Sequence, residues 1–249
     1  MLMTRPPRLP AATSPRHGVA RVISKEGRGS RSQATRWVLE GRVRVNGVAV
    51  RDPDFSTRQG IDRIEIDGEI VQTAARRVLM LNKPRGLLTT TSDEKGRDTV
   101  YRCFDGVELP WLAPVGRLDK ASEGLLLFSN DPAWAAQVTD PEQGPVKTYH
   151  VQVNALASDD LLQRLVSGVW VDEERLAVKS ARRLREGQKN AWLELVLEEG
   201  RNRQIRRLLS ACDVEVMRLI RISVGSLVLG DLKKGVWRWL SESEVAELL

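Results

Sequence analysis

The sequence predicts an α+β protein in two units: a small α/β module, then a larger domain on a mixed, mostly antiparallel sheet. Three observations carry this. Within about 55 residues, two short one-face helices are followed by alternating strands around Asn-Gly turns. After residue 75, short apolar strands and helices interleave without a Gly-rich strand–turn–helix, so phosphate-loop and dinucleotide folds have no support. The charge is also lopsided: residues 1–72 hold 13 Lys+Arg against 8 Asp+Glu, and residues 73–249 hold 26 against 25. A length of 249 residues suits two modest domains.

Residues 1–16 are rich in proline and arginine without periodicity and predict a flexible basic tail. The module expected over 17–72 starts with Val19, Val22 and Ile23 at i, i+3 and i+4, a helix that Gly27 or Gly29 ends. Ser30 or Ser32 caps a second helix, in which Ala34, Trp37 and Val38 repeat the spacing and Gly41 is the stop. Val43-Arg44-Val45-Asn46-Gly47-Val48-Ala49-Val50 then reads as a type I′ hairpin, and Ile64, Ile66, Asp67-Gly68 and Ile70 repeat the theme. The second domain is expected over 76–240, with strands at 78–81, 124–129, 148–153, 177–181, 191–197 and 214–222. Helical spacing occurs at 161–166 and 202–209, and a C-terminal helix is expected over 241–249.

Composition excludes several classes. Apolar runs such as Leu125-Leu126-Leu127-Phe128 fall far short of the ~18 residues that span a bilayer. Met1-Leu2-Met3 is followed by Arg5, Arg8 and Arg16 rather than an apolar signal core, so a cytoplasmic protein with no membrane contact is expected. Cys103 and Cys212 stand apart from each other and from His17 and His150, which predicts neither a disulfide scaffold nor a metal site. The basic first unit suits a polyanion partner; on charge alone a solvated basic face explains it equally.

The stretch Ser30-Arg31-Ser32-Gln33-Ala34-Thr35-Arg36 through Glu40-Gly41-Arg42-Val43-Arg44-Val45-Asn46-Gly47 resembles the S4 RNA-binding domain. Arg28, Arg31 and Arg36 cluster at the start of the second helix, and Arg42 and Arg44 alternate with valines that face the core. Guanidinium groups there can grip phosphates and position RNA without reading its sequence.

In the second domain, Gly116-Arg117-Leu118-Asp119-Lys120-Ala121-Ser122-Glu123-Gly124 places an aspartate between two cations, just before a buried strand. A rigidly held carboxylate flanked by positive charge is suited to act as nucleophile or general base. Taken alone, the segment fits a turn aspartate in a surface ion pair better.

Its context decides otherwise. Asn82-Lys83-Pro84-Arg85-Gly86 lies upstream, Lys147-Thr148-Tyr149 follows, and Glu199-Gly200-Arg201-Asn202-Arg203-Gln204-Ile205-Arg206-Arg207 comes later. With these blocks in this order, residues 75–240 resemble the pseudouridine synthases of the RsuA/RluB branch, which isomerise uridines in ribosomal RNA and often carry an S4 domain. The resemblance implies Asp119 as the catalytic aspartate, attacking at C1′ or C6 or assisting glycal formation. It implies Tyr149 as the ring that stacks on the flipped uracil, with a part in proton removal at C5, and Arg206 as the partner of the carboxylate. Arg201, Arg203 and Arg207, at the start of a helix, suit RNA phosphate. Lys83 and Arg85 are expected to line the same cleft, and Arg117 and Lys147 to contact RNA. The resemblance implies no cofactor and no metal; the expected partner is ribosomal RNA or an assembly intermediate, bound by a monomer.

The segment from Arg218-Leu219-Ile220-Arg221 to Gly235-Val236-Trp237-Arg238 points to large-subunit (23S) rRNA, with small-subunit (16S) rRNA as the alternative. Two other classes stand as alternatives: a non-catalytic S4-type ribosome-assembly factor, and a carboxylate-pair glycosidase acting on nucleosides, for which Glu123 is the close second acid.

Overall fold

The computed structural model describes residues 15–91, 93 and 95–249. Chain contacts divide it into one unit ending at Ala74 and a second running from Ala75 to Leu249.

In the first unit, β1 (Arg16–Gly18) leads into α1 (Val19–Lys25) and α2 (Arg31–Leu39). Of the two candidate caps it is Ser30 that works: its Oγ accepts the Gln33 backbone N–H at 3.0 Å. There follow β2 (Val43–Val45), β3 (Val48–Val50), β4 (Ser56–Arg58), β5 (Ile64–Ile66) and β6 (Glu69–Ile70). A four-stranded antiparallel sheet has the order β3-β2-β5-β6, and β1 pairs separately with β4. Asn46 and Gly47 take φ of 52° and 82°, the two positive values that a type I′ turn requires. That turn sets the register, so Val43 and Val45 are buried against Val19, Ile23, Ala34 and Val38 while Arg44 faces out. Because Arg16 already belongs to β1, the tail expected over 1–16 ends earlier; residues 1–14 lie outside the described residues.

The second unit begins with β7 (Val78–Lys83), a 3-10 turn at Val100–Phe104, β8 (Ala113–Val115), β9 (Glu123–Ser129) and α3 (Pro132–Thr139). Next come β10 (Lys147–Val153), α4 (Asp159–Ser167), the hairpin β11 (Val169–Val171) and β12 (Glu174–Leu176), β13 (Ser180–Glu186) and β14 (Ala191–Leu197). The chain ends with α5 (Gln204–Ser210), β15 (Val216–Val224), β16 (Leu227–Val228), β17 (Trp237–Trp239) and α6 (Glu242–Ala246). The main sheet runs β13-β14-β10-β15-β9-β7-β17, with β16 on β15 and β8 on β9. Every pair is antiparallel except β9 with β15, so the sheet is mixed and mostly antiparallel, as expected.

Several boundaries differ from the expected ones, for local reasons. The strand expected at 177–181 is β13, shifted to Ser180–Glu186, because the Val178 N–H donates to the Leu165 carbonyl of α4 at 3.0 Å rather than to a neighbouring strand. The helix expected from Asn202 starts at Gln204, since Arg203 adopts left-handed φ 49°, ψ 31°. Val214 closes that helix, its N–H donating to the Leu209 carbonyl at 3.0 Å, so the next strand starts only at Val216. The helix expected over 241–249 is shorter, and Val245 and Leu248 pack with Val78, Leu125 and Trp134 in the core of the sheet.

The parallel join of β9 and β15 positions the site. Gly124 sits there at φ +101°, and a Cβ on it would lie far inside contact distance of the Arg221 backbone. The loop over residues 116–122 therefore enters the middle of the sheet through a glycine that nothing larger can replace.

Candidate active site

Five consecutive carbonyls hold the loop that bears Asp119. Thr89 Oγ1 donates to the Leu118 carbonyl at 2.7 Å, and the Gly86 N–H donates to that of Lys120 at 2.7 Å. Lys83 Nζ donates to Asp119 O at 3.1 Å, to Ser122 O at 2.9 Å and to Pro84 O at 3.1 Å. Arg206 Nη2 donates to Ala121 O at 3.4 Å. A loop so tethered presents its side chain in one orientation, as a site on a rigid support must.

Asp119 opens into a cleft of about 660 Å³. Tyr149 forms one wall; it reaches the cleft from β10, which holds it against both halves of the core on that side of the sheet. Leu118, Leu197, Ile205 and Leu219 give apolar lining, and Arg117, Lys147, Arg201, Arg203, Arg206 and Arg221 give positive charge. An aromatic face, an apolar floor, one carboxylate and a cationic rim suit a flat base attached to a phosphodiester.

Asp119, Tyr149, Arg206, Arg117, Lys147, Arg201 and Arg203 thus come together; the other expected cations do not. Lys83 is a correction. It is fully buried, so its ammonium spans the three loop carbonyls and cannot meet RNA. Arg85 is exposed on the next loop and outside the cleft lining, though close enough to weigh on Arg206. Arg207 is turned away, bound to Glu174 at 2.9 Å and Asp172 at 3.4 Å on the β11–β12 hairpin. Arg201 lines the cleft with its charge already taken by Glu174 at 2.7 Å and Glu199 at 2.8 Å.

The partner of Asp119 also differs from the expectation. Arg203 Nη1 stands 3.5 Å from Asp119 Oδ2, the ion pair that Asp119 makes among the described residues. Arg206 bonds the Ala121 and Val216 carbonyls instead, its Nε buried without a partner among the described residues. Burial holds its guanidinium below the usual range, with Arg203 adding to the effect and Asp119 opposing it.

Sequence reasoning missed Arg221 and Gln204. Arg221 is nearly buried, with Nε donating to Leu125 O at 2.7 Å, and Gln204 ties Ala177 O and Glu199 at 3.0 and 3.1 Å. Alternation along β15 was the available signal for Arg221. Glu123, the second acid that a carboxylate pair needs, is buried behind the cleft between Arg218 at 3.0 Å and Lys234. Among the described residues, no group of three or more His, Cys, Asp or Glu side chains could hold a metal ion.

Burial lowers Lys83 to about 8, with Asp119 opposing. Below that pH its three N–H donors match three carbonyls; above it the neutral amine has two. The single-turnover rate is therefore expected to fall as pH rises through about 8. A flat profile there would free the loop from dependence on this ammonium.

In the first unit Arg28, Arg31, Arg36, Arg42 and Arg44 are all exposed. Arg42 is held by Asp67 and Glu40 and lies over Trp37, and Arg44 donates to the Gly47 carbonyl at 3.0 Å. Arg28, Arg31 and Arg36 make no ion pair among the described residues.

Comparison with known proteins places the chain among its relatives. The model of the RNA pseudouridylate synthase family matches residues 77–211, and that of the S4 domain matches residues 19–60. An uncharacterized RNA pseudouridine synthase of Aquifex aeolicus is 34% identical over 231 residues, 92% of each chain. Ribosomal large subunit pseudouridine synthase B of Bacillus subtilis is 34% identical over 230 residues, 92% of this chain and 93% of that one. The Haemophilus influenzae protein of the same name is 35% identical over 225 residues, 87% of this chain and 62% of its own length. A crystal structure of a pseudouridylate synthase superposes with a TM-score of 0.66 at 28% identity, covering 95% of this chain and 100% of that one.

Proposed function

The chain belongs to the RNA pseudouridylate synthase family, and on that premise we propose that it converts a uridine of large-subunit ribosomal RNA to pseudouridine with Asp119 as the attacking group. The observation that carries this is the loop over residues 118–122, tethered at every carbonyl, which aims one carboxylate into a cleft walled by Tyr149. Asp119 attacks the uridine or assists glycal formation. The N1–C1′ bond breaks, the uracil turns while stacked on Tyr149, and C5 bonds to C1′, with any bond from Asp119 to the nucleotide broken so that the carboxylate is regenerated. The C5 proton leaves and N1 gains one, so the reaction is redox-neutral. Arg206 steadies the carboxylate, and Arg117, Lys147 and Arg203 meet phosphates around the extruded nucleotide. Extrusion costs a few kcal/mol, which phosphate contacts offset.

The names of the Bacillus subtilis and Haemophilus influenzae relatives support the large subunit as target. Residues 76–240 carry out the chemistry and residues 17–72 anchor the RNA. The enzyme works as a monomer in the cytoplasm; among the described residues no helix is long and apolar enough to cross a membrane. Mapping pseudouridine in ribosomal RNA from cells lacking the gene tests the reading. Loss of a large-subunit pseudouridine supports it, loss of a small-subunit one overturns the target, and an assembly defect with every pseudouridine present makes the protein an assembly factor.

The anchor has its own test. Changing Arg28, Arg31 and Arg36 together to Ala is expected to flatten the slope of log K against log[salt] by about two to three, at ~0.7–0.9 per lost phosphate contact. Binding titrations across salt check this; an unchanged slope would show that these arginines do not touch RNA.

A further inference from the structure

Four arginines cluster around the start of α5, and they are not equivalent. Arg201 and Arg207 are fixed by Glu174 and Glu199. Arg206 is half-buried, and its Nε finds no hydrogen-bond partner among the described residues. Arg203 is half-exposed, and its ion pair is to Asp119 at 3.5 Å, longer than a good charge-assisted hydrogen bond. Such an exposed, loose pair is easily given up. Arg203 also holds a left-handed backbone, φ 49°, that a non-glycine residue seldom adopts, and strain of this kind collects at functional positions. Both Arg203 and Arg206 border a second cleft of about 480 Å³, with Asn154, Ser210, Asp213 and Glu215, which leaves room for movement.

We propose that Arg203 is a displaceable counter-ion: it holds Asp119 in the RNA-free enzyme, then moves to the phosphate of the incoming nucleotide and yields the carboxylate to Arg206. Arg203 is thereby a positioning residue that keeps the carboxylate aligned and neutralised until substrate replaces it. The exchange explains why Arg206 carries an unused buried donor beside a carboxylate that another arginine occupies. It rests on the reading of Asp119 as the attacking group.

The test uses the pH dependence of the full chain on one ribosomal RNA fragment, because kcat/KM reports groups of the free enzyme and kcat those of the RNA complex. Arg203→Asn keeps a side chain tolerant of the left-handed backbone. It is expected to lower kcat/KM roughly five- to tenfold, more than kcat. It should also move the acid limb of kcat/KM up, because a nearby cation is lost, and leave that of kcat in place. Arg203→Lys should restore the acid limb of kcat/KM, and Arg206→Gln should move the acid limb of kcat. Arg117, Lys120 and Lys83 on or under the loop stay constant in these variants. So do Lys147 from β10, Arg221 from β15, and Glu142 and Glu199 at the rim, so their fields cancel in the comparison. Acid limbs that move together, or not at all, in Arg203→Asn would overturn the exchange. Turnover by Asp119→Asn would instead overturn the functional reading itself, so the two failures are told apart.

Discussion

Asp119→Asn is expected to reduce single-turnover pseudouridine formation by at least ~10⁴-fold, the usual scale for loss of a nucleophile. The amide keeps the size of the side chain and loses its nucleophilic charge. Because residues 118–122 are held through backbone carbonyls, the loop should keep its place and the protein its melting temperature. RNA affinity should hold or rise slightly, since a negative charge leaves a cleft rimmed by Arg117, Lys147, Arg203 and Arg221. Measurable turnover by a correctly folded variant would remove Asp119 from the role.

Gly124→Ala should have the largest effect on stability, about 3–5 kcal/mol. Two costs add. The backbone at φ +101° is unfavourable for any L side chain, and the new Cβ collides with the Arg221 backbone across the β9–β15 join. Relief would require β9 and β15 to part, at the one parallel pair that joins the two halves of the sheet. Thermal melting should show a drop of roughly 8–15 °C. A drop under ~2 °C would mean the join is far more compliant than its geometry indicates. Gly124→Ser should behave alike, since the obstacle is the Cβ itself.

Much of this was legible in the sequence where local chemistry decides. Asn46-Gly47 dictated a hairpin, and alternation along 191–197 dictated a strand with Leu193 and Leu195 inside. The aspartate block and Tyr149 were placed through the resemblance to the pseudouridine synthases, because the groups that share their cleft, Arg203, Arg206 and Arg221 among them, lie far along the chain. What escaped depends on partners far along the chain. The β11–β12 hairpin turns at Asp172 and Glu173, both at positive φ without an Asn-Gly or Asp-Gly signature, so nothing announced it. Its Glu174 is what takes Arg201 and Arg207 out of the RNA-facing set. Lys83 was expected to line the cleft, yet β7 is buried along its whole length, which brings the ammonium under the loop. The helix α3 was overlooked although Asp131-Pro132 is an ordinary start signal, with Asp131 accepting from Ala133 and Trp134.

The most direct measurement follows from the bond that changes. When C5 of uracil joins C1′, the hydrogen on C5 must leave, so RNA carrying tritium at C5 of its uridines releases it to water on conversion. The purified full chain, given a large-subunit ribosomal RNA transcript labelled in this way, is expected to release close to one equivalent of tritium per RNA, and Asp119→Asn none. No release from RNA that is demonstrably bound, or equal release by the variant, would contradict the account.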